Sequence, residues 1–266
     1  MIHFTNPAII REIEDKLVQI KKNKGEALTD LSIKKADEAA IEYEAIRHSC
    51  RIETDSETHA YAPRAHLFST PHSRKTKKMF KALQAATAWG ANVELKNGIT
   101  EEFVKTISGL IDPVFHQALV ASYRNKGVRP SSATWTPPEP EKVLTEMPKF
   151  ITELNQICSG TGTANSVEAA IYAHLHLIRI HPFEDTNGRT ARTIQNIILM
   201  KKRLPLPVIF TGERHDYYKH LDDAVNSYRE RKGFDYKAHF DSKGEREFYN
   251  FMAGKISSSL DRIMGA

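Results

Sequence analysis

Apolar residues along this chain recur at three- and four-residue intervals, and period-two alternation is confined to one short stretch. The pattern predicts an all-α fold. Ile9, Ile10, Ile13, Leu17 and Ile20 form the first helical series, with Asn6-Pro7 as its start signal. A second helix, rich in alanine and glutamate, is predicted from about Leu31 to Ser49. Residues 55–71, polar and carrying Pro63 and Pro71, predict a loop. Lys75 to Trp89 is again helical, with Gly90 and the turn Lys96-Asn97-Gly98 as stop signals. Thr100 opens the next helix, which Ile111-Asp112-Pro113 interrupts.

Tyr123 to Val143 breaks the rhythm: few apolar residues, four prolines and no helical period. A loop of that length in a compact domain is more often functional than idle. Val128-Arg129-Pro130 and Thr134-Trp135-Thr136 could pair there as a short hairpin, with Ser131-Ser132 at the turn. Helical spacing resumes from Val143 to Ile157, and Gly160 to Thr163 reads as a linker. Val167, Ile171, His174, Leu175 and Ile178 mark one apolar helix face; Ile194, Ile197 and Ile198 mark another. Leu204-Pro205-Leu206-Pro207 stops the second of these, and two more helices are predicted at His215–Arg229 and Glu245–Met264.

Composition adds little that is specific. With 266 residues, 40% apolar and 27% charged, the chain can bury a sizeable core in one or two domains. No apolar run approaches the ~20 residues that span a bilayer, and the charged N-terminus lacks the apolar stretch of an export signal. Cys50 and Cys158 match no metal spacing and read as reduced thiols of a cytoplasmic protein. Delivery to another cell by a dedicated secretion system would leave no mark on this reading. The net charge of +5 is spread over basic clusters interleaved with acids, among them Lys201-Lys202-Arg203, which favours a solvated surface over a nucleic-acid site.

Between the two apolar helix faces lies HPFEDTNGRTAR, residues 181–192. The chain must reverse at Pro182 and start a new helix near Gly188, with Asp185, Thr186 or Asn187 as the cap. Unpaired backbone N–H groups then face back toward the bend, with the positive end of a helix dipole behind them. Arg189 and Arg192, three apart, share a helix face and repel mildly unless an anion lies between them. Asp185 beside a phosphate site makes sense when Mg²⁺ joins the two. His181 at the rim can take a proton from an incoming hydroxyl. Together these residues suit phosphoryl or nucleotidyl transfer. His174, on the apolar face, reads as a buried structural histidine.

The dozen residues resemble the signature of the Fic family, His-Pro-Phe-x-Asp/Glu-Gly-Asn-Gly/Lys-Arg with a second arginine three residues on. The likeness covers roughly residues 98 to 256 and includes the proline-rich loop, which resembles the family's hairpin flap. It implies a Fic-type helical core with a small β-hairpin flap, and transfer of AMP from ATP to a Ser, Thr or Tyr hydroxyl of a target protein. By that resemblance His181 is the general base, and Asp185 holds Mg²⁺. Thr186, Asn187 and Gly188 belong to the anion hole, Arg189 and Arg192 hold the β- and γ-phosphates, and Tyr217 and Tyr218 lie near the adenine. Val128, Arg129 and Trp135 belong to the flap that docks the target peptide as an added strand. One position departs: the family's usual glycine is Thr186 here, whose Cβ and hydroxyl are expected to narrow the anion pocket and to strain a glycine-type backbone angle.

Upstream, Ser49-Cys50-Arg51-Ile52-Glu53-Thr54 resembles the family's inhibitory pattern Ser/Thr-x-x-x-Glu-Gly/Asn, with Thr54 departing at the last place. Ser49 and Glu53 match it, and Glu53 is expected to pair with Arg192 where a γ-phosphate would sit. The resulting organisation is an N-terminal helical regulatory region, residues 1–95, and a catalytic core with a C-terminal helix, residues 96–266. Phosphorylation, UMP transfer, phosphocholine transfer and a non-catalytic binding module stay open as alternatives, as do self-modification and homo-oligomerisation.

Overall fold

A computed structural model describes residues 4–25, 33, 35–54, 74–130, 133–233 and 242–265. The predicted loop at 55–71, the start of the second helix near Leu31 and the Ser131-Ser132 turn lie outside the described residues. Among the described residues ten α-helices follow one another: α1 (Pro7–Asn23), α2 (Lys35–Thr54), α3 (Arg74–Asn92), α4 (Glu101–Ile111), α5 (Pro113–His116), α6 (Pro140–Cys158), α7 (Gly162–Ile180), α8 (Asn187–Lys201), α9 (Arg214–Gly233) and α10 (Lys243–Met264). A 3₁₀ turn at Thr211–Glu213 leads into α9. The described residues contain no strand, as an all-α fold requires. Residues 128–130 and 133–135 run as irregular chain, since an isolated two-stranded ribbon is marginal on its own. No helix among the described residues is long and apolar enough to cross a membrane.

α7 and α8 form the centre, and their composition explains why. α7 is apolar nearly all round, and a helix of that kind is stable only when enclosed. α6 packs on α7, while α3 and α4 pack on α8. α9 and α10 pair with each other and close the side of α7, and α1 lies on α10 and α7. α2 reaches α8, α3 and the 3₁₀ turn. The helices before residue 95 therefore pack directly on those after it.

Local signals set most of the ends. Asn6 caps α1 by accepting the Ala8 N–H at 2.9 Å, and Thr100 caps α4 by accepting the Phe103 N–H at 3.1 Å. Gly90 does not stop α3, which continues to Asn92. A Cβ at Gly90 would stand 2.3 Å from Ile197 Cδ1, so the glycine is where α3 crosses closely over α8. α5 is a single turn with Asp112 as its cap, short enough to carry no periodicity. The cluster at 201–203 is partly spent on structure. Lys201 Nζ donates to the carbonyls of Ala91 and Val93 at the end of α3, and Arg203 donates to the carbonyl of Ile33. Neither cysteine forms a disulfide among the described residues, and burial pushes the Cys50 thiol up to about 12, well away from reactivity.

Candidate active site

The site begins where the apolar run of α7 ends. His181 caps the helix in the left-handed conformation (φ 52°, ψ 58°), its N–H bonded to the Leu177 carbonyl at 2.9 Å. Its ring Nδ1 lies 3.2 Å from the Ile178 carbonyl. A carbonyl can only accept, so Nδ1 carries the proton and Nε2 keeps a free lone pair. Burial is the main force that lowers the His181 pKa, to about 4, with the Arg124 charge adding to it. The ring is therefore neutral at ordinary pH. Trp135, buried, meets it edge-on at 6.1 Å between ring centres.

Arg124 supports this corner, and the sequence pattern did not single it out. Its Nε donates to the His181 carbonyl at 2.7 Å, Nη1 donates to the Lys126 carbonyl at 3.2 Å, and Nη2 donates to the Pro138 carbonyl. Its backbone N–H adds a bond to the Pro182 carbonyl at 2.9 Å. One planar guanidinium thus ties both ends of the proline-rich loop to the histidine's own peptide. A lone arginine in a polar loop reads as surface charge, and only its place at the head of that loop hints otherwise.

The bend then closes on itself through Asn187. Its Oδ1 accepts the Phe183 N–H at 3.0 Å and its Nδ2 donates to the Phe183 carbonyl at 2.8 Å. The Asn187 side chain thus braces the bend, and the residue also lines the cleft. Phe183, fully buried, anchors the turn in the core. Thr186 is the residue that caps α8, in the left-handed conformation (φ 71°, ψ −4°), with no side-chain bond into the helix. The first intrahelical bond is Thr190 N–H to the Thr186 carbonyl at 2.8 Å. The N–H groups of Asn187, Gly188 and Arg189 precede it and have no acceptor within the helix.

Thr186 meets the expected backbone strain, but its hydroxyl does not narrow the pocket. It lies 2.6 Å from Ser108 Oγ and 3.2 Å from His116 Nε2, turned toward α4 and α5. The two arginines also part company. Arg189 sits 3.3 Å from Asp185 and 3.8 Å from Asp112, and it is not among the residues that line the cleft. Arg192 does line it. Its Nε donates to Ser49 Oγ at 2.8 Å, Nη2 donates to Glu53 Oε1 at 2.7 Å, and Nη1 reaches the Tyr217 hydroxyl at 3.4 Å. Opposite charges on different neighbours pull the two guanidiniums apart. Gly188 is confined by the same pair: a Cβ there would stand 2.6 Å from Glu53 Oε1 and 3.3 Å from Arg192 Nη1.

These residues open onto one cleft of about 290 Å³. Its walls include Glu53, Arg129, Trp135, His181, Asp185, Thr186, Gly188, Arg192, Tyr217 and Tyr218, together with Asp222 of α9, which the sequence pattern did not suggest. Val128 lies outside this lining. Asp222 accepts the Thr134 N–H at 2.9 Å and Asn226 donates to the Thr134 hydroxyl at 3.0 Å, so the loop is moored to α9. Beneath the floor, His174 is fully buried between Gln195 at 2.7 Å and the Tyr217 hydroxyl at 2.8 Å, the structural place expected of it. Burial drives its pKa down to about 3. Asp185 is half exposed at the rim, with Oδ1 accepting the Thr186 N–H at 2.6 Å. Among the described residues no three acidic, histidine or cysteine side chains converge on one point. A Mg²⁺ ion here would rest on Asp185 and on substrate phosphates, the donor set that ion usually accepts.

Residues 98–199 match the Fic/DOC family. Among curated relatives, the chain is 40% identical over 88 residues to a protein adenylyltransferase Fic of Nematostella vectensis, 33% of this chain and 20% of that one. It is 31% identical over 133 residues to protein adenylyltransferase fic-1 of Caenorhabditis elegans, 50% of this chain and 22% of that one. The chain thus spans about a fifth of the length of these relatives. Among solved structures, a Fic-domain signalling protein of Bacteroides thetaiotaomicron superposes with a TM-score of 0.66 at 21% identity, covering 95% of this chain and 94% of that one. Fic-1 of C. elegans superposes at 0.64 and 22% identity, covering 97% and 73%. At those identities the structures testify to a shared fold. The matched span contains the bend between α7 and α8, so residues 98–199 form a domain of the Fic/DOC family.

Proposed function

We propose that this protein is an adenylyltransferase that moves AMP from ATP to a Ser, Thr or Tyr hydroxyl of a target protein, and that Glu53 restrains it. The observation that carries this reading is the neutral His181, its Nε2 free, beside a cleft where α8 begins with open N–H groups. The names of the curated relatives support the choice of AMP as the transferred group. In the reaction, the target oxygen attacks the α-phosphorus while its proton passes to His181 Nε2. The bond from that phosphorus to the bridging oxygen breaks, and pyrophosphate leaves with the electron pair. Arg192 and the first N–H groups of α8 bind the leaving phosphates. Held by Asp185 and the phosphates, Mg²⁺ would supply charge neutralisation for the leaving group. Asp185, which would hold the ion, is paired with Arg189 at 3.3 Å.

Residues 1–95 act in this reading as a regulatory helical region. The Glu53–Arg192 pair, 2.7 Å apart, occupies the arginine fork that a γ-phosphate would use. The flap, with Arg129 and Trp135 on the cleft, receives the target peptide and leaves its hydroxyl near His181. Incubation with α-labelled ATP and Mg²⁺ tests the whole. Glu53→Gly is expected to raise labelling tenfold or more over wild type, the factor that about 1.4 kcal/mol of competing pairing energy sets. Adding His181→Ala is expected to abolish it. Label from γ-labelled ATP alone would instead identify phosphorylation.

A further inference from the structure

Thr186 occupies the most demanding backbone position of the site. A residue with positive φ is uncommon outside glycine, asparagine and aspartate, and a β-branched side chain is the least suited to it. Yet the angles at Thr186, φ 71° and ψ −4°, are those on which the cradle depends. Its N–H goes to Asp185 Oδ1 and its carbonyl receives the first bond of α8. A rotation of this residue would therefore disturb both the Asp185 carboxylate and the row of N–H groups behind it.

Two residues remote in sequence meet its hydroxyl. Ser108 of α4, fully buried, stands 2.6 Å away, and His116 of α5 stands 3.2 Å away through Nε2; Ser108 and His116 are 3.3 Å from each other. The backbone brings them there by a specific route. A Cβ at Gly109 would stand 2.3 Å from the Leu119 carbonyl, and the Ala121 N–H bonds to the Lys105 carbonyl at 3.0 Å. The segment after α5 thus lies flat against α4, which brings the ring of His116 over Ser108. Phe183, from the bend itself, packs edge-on against that ring at 6.0 Å between centres.

We propose that Ser108 and His116 are positioning residues of the cradle, which hold the Thr186 hydroxyl and thereby keep a β-branched residue in the left-handed turn that nucleotide binding requires. This rests on the proposed nucleotide site but not on which group is transferred. Its consequence is a specific dependence between positions. A glycine at 186 needs no restraint to adopt that turn and has no hydroxyl to bury. Ser108 and His116 therefore matter only while threonine is present, whereas ordinary packing residues would matter equally with either.

The test is a mutant cycle in the Glu53→Gly protein, read by calorimetric titration with ATP and Mg²⁺. Ser108→Ala and His116→Ala are each expected to weaken binding roughly tenfold, equal to about 1.4 kcal/mol. In the Thr186→Gly background the same substitutions are expected to change binding less than about twofold, by the additivity test for coupled sites. His116→Gln, which retains a hydrogen-bonding end, should recover part of the loss beside Thr186. Thermal unfolding of each protein gives a second reading of the same coupling. Equal losses in both backgrounds, no loss beside Thr186, or no ATP binding by the parent would each overturn the proposal. Intact, Thr186-dependent binding without transfer of α-label would leave it standing and sink adenylyl transfer alone.

Discussion

At the scale of single residues, His181 is prepared by its peptide surroundings rather than by a carboxylate partner. The Ile178 carbonyl fixes the tautomer and Arg124 holds the residue's own carbonyl, while burial keeps the ring uncharged. A base must be neutral to accept a proton, so the acid limb of kcat/KM reports the pH at which the ring charges. With Glu53→Gly, that limb is expected near pH 4 instead of near the 6.5 of a free histidine, in a rate–pH profile with α-labelled ATP. A limb at 6 or above would show that the ring is solvated in the working enzyme. His181 stood out in the sequence as the candidate base because its neighbours along the chain carry the signature. Arg124 was not legible, since its acceptors are carbonyls, which every residue possesses and no pattern marks.

At the scale of elements, α2 and the start of α8 are fitted to each other at Gly188. The space a side chain would need there is taken by Glu53. Gly188→Ala is therefore expected to lower the melting temperature when Glu53 is present, by forcing the carboxylate off Arg192. In the Glu53→Gly background the same change is expected to be neutral or to stabilise by about 0.5–1 kcal/mol, because alanine suits a helix better than glycine. Thermal unfolding of the four proteins measures this. Where helices begin and end was largely readable from caps and apolar spacing, as at Asn6 and Thr100. Gly90 misled because glycine has two meanings in a helical pattern. It can end a helix, or, as under Ile197, it can let two helices approach.

At the scale of the whole molecule, burying neutral histidines makes stability depend on pH. His174 and His181 have native pKa values of about 3 and about 4, against 6.5 for the unfolded chain. Between those values the unfolded state binds more protons than the native one, so stability falls as pH falls below about 6.5. Each histidine contributes a slope of up to about 1.4 kcal/mol per pH unit in that window. Chemical denaturation at pH 7 and pH 5 is expected to show the loss, and His174→Gln, which has no charge to gain, should lessen it.

The sequence by itself determined the helical class, the apolar face of α7, and which residues meet in the bend, because all three depend on residues within a turn or two of one another. Only the tertiary structure decided which charge each arginine meets, what steadies Thr186, and that the flap is moored to α9. Those outcomes depend on contacts such as Glu53 with Arg192 and Ser108 with Thr186, 139 and 78 residues apart. Periodicity reports which face of a helix is buried. It carries no information on which partner waits across the interface, because that is fixed by how whole helices pack.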